Sequence, residues 1–151
     1  MGILNMTPDS FAEGGKYNKK NKAFKRIKFM IDSGADIIDV GGESTRPGSK
    51  IIPARNEWNR IREIITEFKK KYPKILLSID TQKSEIMTDA IKFKADIIND
   101  VSCFYFDKNS IKSIKKNIFK IIHHMQGTPQ TMQINPKYEN ALLDIYDFFE
   151  S

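Results

Sequence analysis

Short apolar runs bounded by turn residues recur along the chain: Met1 to Leu4, Ile37 to Val40, Ile75 to Ile79, Ile97 to Ile98 and Ile118 to Ile122. Near-continuous runs of this length predict strands buried on both faces. Between them the apolar period lengthens to three and four. Trp58, Ile61, Ile64, Ile65, Phe68 and Tyr72 share one helical face, as do Ala23, Ile27, Met30 and Ile31 before the stop at Gly34. A further face, Tyr138, Leu142, Ile145, Tyr146 and Phe149, begins after Pro136. The reading is β-α repeated five times, which calls for a parallel sheet with helices outside it.

Two architectures meet that demand, an open doubly wound sheet and a (β/α)8 barrel. The polar and glycine-bearing stretches decide between them, because they follow all five strands: Asn5 to Gly15, Gly41 to Gly48, Asp80 to Lys83, Asn99 to Ser102 and His123 to Gln133. Loops converging from consecutive strand ends are the barrel plan, whereas an open sheet gathers its ligand at one switch point. The expected fold is therefore α/β, a TIM-type (β/α)8 barrel of which about the first five βα units are present. A complete barrel runs to about 250 residues, so residues 1–151 are expected to form one partial barrel domain lacking its C-terminal strands.

Composition narrows the chemistry. The chain has 40% apolar and 29% charged residues, the balance of a globular domain. Its net charge is +6, but the excess is mostly lysine interleaved with acids and lacks aromatic stacking platforms, which argues against nucleic acid. Cys103 is the sole cysteine, excluding an internal disulfide and a cysteine-based metal centre. No apolar run approaches the roughly 18 residues of a membrane span, and polar Asn5, Thr7, Asp9 and Ser10 stand where a secretory segment would be apolar. A cytoplasmic protein without membrane contact is expected.

Candidate chemistry lies at the strand ends. In the run from Asp36 to Gly48, two glycines precede Ser44, Thr45 and Arg46, whose donors suit an anionic oxygen such as phosphate. Asp80 and Asn99 each follow a buried strand. A carboxylate there can accept paired hydrogen bonds from a planar N–H/NH2 edge and an amide can both donate and accept, although helix capping would explain either residue as well. Thr81 and Ser102 read better as caps. His123 and His124 are adjacent and would point to opposite sides of a strand, so a shared zinc is improbable, and Met125 adds an apolar wall.

Taken together, GILNMTPDSF, DIIDVGGESTRPG, SIDTQK, IINDVS and HMQGTPQTMQ, in this order, resemble dihydropteroate synthases from Gly2 to about Gln133. The resemblance implies condensation of 6-hydroxymethyl-7,8-dihydropterin diphosphate with p-aminobenzoate, releasing pyrophosphate. By the same resemblance, Asn5 helps hold a Mg2+–pyrophosphate, Asp80 and Asn99 recognise the pterin, and Val101 and Met125 line its ring pocket. Thr45, Arg46 and Pro47 belong to a mobile second loop, Phe11 and Pro47 border the p-aminobenzoate site, and the complete enzyme is a homodimer. Three departures stand out. Glu13 replaces an aspartate, Cys103 and Phe104 replace glycines and should change the loop path, and the later Asp-Pro-Gly, Ser-Arg-Lys and Arg-x-His segments have no match. The isolated chain is accordingly expected to be inactive and prone to aggregate. Alternatives are a pterin-dependent corrinoid methyltransferase domain, against which ESTRPG speaks, and a non-catalytic half-barrel.

Overall fold

The computed structural model describes residues 1–7, 16–46 and 49–150. Its elements run β1 (Gly2–Asn5), α1 (Lys16–Asp32), β2 (Ile37–Gly41), α2 (Ala54–Lys71), β3 (Leu76–Asp80), α3 (Ser84–Lys92), β4 (Ile97–Asp100), α4 (Ser110–Ser113), β5 (Phe119–Ile122) and α5 (Ala141–Glu150). The strands form one five-stranded sheet in the order β1-β2-β3-β4-β5, and every pairing is parallel. A doubly wound sheet would reverse its order at a switch point. Strictly sequential order is that of a barrel wall, and the chain forms five consecutive βα units of one.

The outer face of the sheet carries the core. Leu4, Ile38, Val40, Leu77, Ile79 and Ile98 are buried against Ala23 and Ile27 of α1, Ile61, Ile64, Ile65 and Phe68 of α2, and Ile86 and Met87 of α3. The helical faces read from the sequence at α1 and α2 are the ones that pack. Gly34 ends α1 as expected, with a φ of 96° and with its N–H and that of Ala35 donating to the carbonyls of Ile31 and Met30.

Two kinds of boundary differ from the sequence pattern, four strand ends and one helix start. The strands continue past their apolar runs to Asn5, Gly41, Asp80 and Asp100, because a parallel ladder is built from backbone groups and does not end where side chains become polar. The last helix begins at Ala141, not just after Pro136: Asn140 Oδ1 accepts from the N–H groups of Leu142 and Leu143 at 3.1 and 3.3 Å and fixes the start as an N-cap. None of its residues is buried, and its contacts include those of the Phe148 ring with Tyr105 and His124, which leaves most of its apolar face open.

Candidate functional site

Register assembles the site. Asn5 pairs with Gly41, Gly41 with Asp80, Asp80 with Asn99 and Asn99 with Ile121. Paired residues in a parallel sheet point to the same face. Asn5, Asp80 and Asn99 therefore form one row across the inner face, at the C-terminal ends of β1, β3 and β4. They are the last or penultimate residues of strands instead of loop residues, and the ladder fixes their spacing. Gly41 leaves the row open, since a Cβ there would stand 3.3 Å from Asp80 Oδ2 and 3.5 Å from Asn5 Oδ1.

Asn99 is oriented from both sides. Its Nδ2 donates to Asp39 Oδ2 at 3.2 Å, and its Oδ1 lies 2.7 Å from His123 Nε2. With the oxygen accepting, His123 carries its proton on Nε2. Asp39 sits one layer deeper on the same face and is 3% exposed, with Oδ1 lacking a partner among the described residues. Burial, followed by the charges of Asp39, Glu57, Asp100 and Glu43, pushes the Asp80 carboxyl up to about 7. Burial also raises Asp39, Glu57 and Asp100 above the ordinary carboxyl range, against the hydrogen bonds each accepts. At about 7, the Asp80 carboxyl alone is placed near half-ionisation at neutral pH, and a cationic or N–H-rich planar ligand would complete its ionisation.

Beside the row is a cavity of about 310 Å³, lined among others by Gln82, Val101, His123, Met125, Tyr105 and Phe148. Val101 and Met125 are part of its apolar lining. The volume is at the lower end for small-molecule sites. His123 joins cavity and row. The adjacent His124 points away, with Nε2 3.1 Å from Tyr138 Oη and its ring 4.7 Å from that of Phe148, so the two histidines do not share a ligand.

The second loop leaves β2 through Gly42, where a Cβ would come within 2.9 Å of the Glu57 carbonyl oxygen. Thr45 is half-buried and Arg46 exposed, and Ser49 N–H donates to the Arg46 carbonyl at 3.0 Å to close a turn. Phe11, Glu13 and Pro47 lie outside the described residues, and so does any contact they make with Arg46.

Several expectations need correction. Thr81 and Ser102 do not cap helices: Thr81 Oγ1 accepts from Lys83 N–H at 3.3 Å, and Ser102 Oγ donates to Asp100 Oδ1 at 2.7 Å within its own loop. The start of α3 is instead met by Asp107 Oδ2, which accepts from Ser84 N–H at 3.0 Å. Cys103 and Phe104 have φ of 54° and 65°. Both occupy the left-handed region that glycine adopts without strain, a conformation L side chains take less readily.

A family model described as pterin binding enzyme matches residues 1–151. The chain belongs to the pterin-binding enzyme family. It is 44% identical over 146 residues to a dihydropteroate synthase of Clostridium beijerinckii, covering 96% of this chain and 51% of that protein. The crystal structure of Yersinia pestis dihydropteroate synthase with a sulfonamide drug superposes with a TM-score of 0.89 at 35% identity, covering 99% of this chain and 54% of the other. A dihydropteroate synthase structure from Clostridium difficile, obtained in the presence of pteroic acid, gives 0.86 at 39% identity, covering 99% and 55%. The chain spans about half the length of the relatives it matches.

Within this family frame, the structure brings together Asn5, Asp80 and Asn99, with Val101 and Met125 close by. Two further residues of the site were not singled out from sequence, Asp39 and Gln82, and His123 was weighed there only as half of a metal pair. Asp39 had a signal, an acid inside an otherwise apolar strand run buried on both faces, where an unpaired charge is costly. The contact of His123 with Asn99 had none, since only the pairing of β4 with β5 sets the two together.

Proposed function

We propose that this chain contributes the first five βα units to a complete barrel. That barrel would join 6-hydroxymethyl-7,8-dihydropterin diphosphate to p-aminobenzoate, forming 7,8-dihydropteroate and pyrophosphate. The observation that carries the reading is the in-register pair Asp80 and Asn99 beside a cavity walled by Val101 and Met125. An ionised Asp80 accepts from the ring N–H and amino group of the pterin, and Asn99, held by Asp39 and His123, presents its remaining donor and acceptor capacity to the same ring. Thr45 and Arg46 face the anionic diphosphate, and Phe11 and Pro47 border the amine substrate.

In the reaction the bond from the pterin methylene to the diphosphate oxygen breaks, and the amine nitrogen forms a bond to that carbon and loses a proton. The aromatic amine is a weak nucleophile, so the protein contributes position and exclusion of water more than proton transfer. Asn5 suits a role beside Mg2+. Its amide oxygen is a hard donor on an exposed residue at the strand end, although no cluster of three acidic, histidine or cysteine side chains able to hold an ion occurs among the described residues. An ion sharing Asn5 with substrate diphosphate and water fits such a donor set. Bound there, Mg2+ would offset charge on the departing pyrophosphate.

The test is turnover by the full-length protein, with binding of a pterin lacking its diphosphate measured by calorimetry. Asp80→Ala should weaken that pterin about 10- to 100-fold, the loss of charge-assisted hydrogen bonds, and Arg46→Ala should leave it nearly unchanged. A larger effect of Arg46→Ala on this ligand would overturn the assignment of the two subsites.

A further inference from the structure

At the back of the second loop, three charged side chains are buried together. Lys83 Nζ lies 2.8 Å from Glu43 Oε2 and 2.6 Å from Glu57 Oε2. The three side chains are 10%, 7% and 0% exposed, respectively. They come from three places: the start of the second loop, the first turn of α2 and the residue that precedes α3. Two carboxylates on one ammonium leave the group with a negative excess, and Glu57 Oε1 has no partner among the described residues. A buried group of this kind is a poor source of stability, because desolvation consumes much of the Coulombic gain. Its geometric effect is specific.

Glu43 is the centre of that effect. Its Oε2 also accepts from the N–H of Ile52 at 2.7 Å, and its Oε1 accepts from Gln82 Nε2 at 3.2 Å. Residues 43 and 52 are the two ends of the loop that carries Thr45 and Arg46, so a single carboxylate ties both ends. Arg60 reinforces the outgoing end, with Nη1 donating to the Gly42 carbonyl at 2.8 Å. Lys83 holds that carboxylate against α2, and it follows Asp80 by a single short turn of chain.

We propose that Lys83, gripped between Glu43 and Glu57, is a positioning residue that locks the base of the second loop to the end of β3. The clamp sets where Thr45 and Arg46 stand relative to Asp80. Its consequence for catalysis rests on the dihydropteroate-forming reading; the clamp itself does not.

Hydrogen exchange tests the clamp directly. In Lys83→Met the Ile52 amide should exchange at least about tenfold faster relative to the Ile79 amide of β3, an internal measure of global opening. Lys83→Arg should return most of that protection. If Lys83→Met does not fold, Glu43→Gln removes the charge that Lys83 grips while retaining an acceptor for Ile52, and a rise of several-fold in the same ratio is expected. An unchanged ratio in the folded variant would overturn the proposal. In the full-length enzyme, the expected signature of Lys83→Met is a rise of about tenfold in KM for the pterin diphosphate, which Thr45 and Arg46 face, with unaltered affinity for a diphosphate-free pterin. Equal losses in both would reduce Lys83 to a stability residue. The exchange ratio is read whether or not the wild-type protein forms dihydropteroate, so failure of the clamp and failure of the reaction are told apart.

Discussion

A carboxyl surrounded by other carboxyls resists ionisation, and Asp80 is in that position. Asp39 on β2, Asp100 on β4, Glu43 at the loop base and Glu57 on α2 all act on it, with burial the largest cause, and its pKa rises from 3.8 to about 7. Because the folded pKa lies above the unfolded one, protonated Asp80 favours the fold. That contribution is complete below about 3.8 and is lost as pH rises to about 7. On the proposed reading of the site, ligand recognition runs the other way, since a pterin edge would need the ionised form. Affinity for a diphosphate-free pterin should therefore fall about tenfold from pH 7.5 to pH 6. Calorimetry across this range checks it, and Asp80→Asn should flatten the profile. A slope that survives Asp80→Asn would move the titration to another group.

At the scale of elements, α2 does most to shape the second loop. Its apolar stripe, Ile61, Ile64, Ile65 and Phe68, is buried against the sheet, and that seats Glu57 under the loop with no exposed surface. The approach is close enough that Gly42 has no room for a side chain, with the Glu57 carbonyl oxygen and Ile61 Cγ2 at 2.9 and 3.0 Å from a would-be Cβ. Gly42→Ala should force α2 outward and destabilise the protein by about 1–3 kcal/mol, the usual cost of overpacking. Urea unfolding measures this, and an unchanged midpoint would mean that helix and loop can separate freely. The same packing explains the pair of glycines after β2: Gly41 clears the row of site residues, and Gly42 admits the helix.

The whole molecule presents apolar surface at its margins. β1 and β5 are the sheet edges. Ile3 and Phe119, on the inner face of those strands, are 59% and 69% exposed, and Leu142 of α5 is 78% exposed. Open strand edges and contiguous apolar faces promote association. The 151-residue chain should therefore self-associate at micromolar concentration, and Phe119→Lys combined with Leu142→Glu should shift it toward the monomer. Light scattering decides the matter: a wild-type mass of 17.4 kDa at such concentrations would show that these faces do not drive association.

Local periodicity was enough to read the alternation of strands and helices, the packed faces of α1 and α2, and the polar positions Asn5, Asp80 and Asn99 at strand ends, because side-chain spacing along one element dictates which face it buries. The sequence also carried the family, through runs such as GGESTRPG and IINDVS. Tertiary structure alone decided the partners of the buried charges. Asn99 meets Asp39 across 60 residues, Lys83 meets Glu43 across 40 and Glu57 across 26. Glu57 drew no reading in the sequence, and Lys83 only closes the polar stretch that follows the third strand. Whether such a charge faces water or another charge depends on which elements become neighbours, and no local period encodes that. The apolar face of α5 gives the converse case. Its period is as regular as that of α2, yet no residue of it is buried, because periodicity makes a face available for packing and only a neighbouring element can cover it.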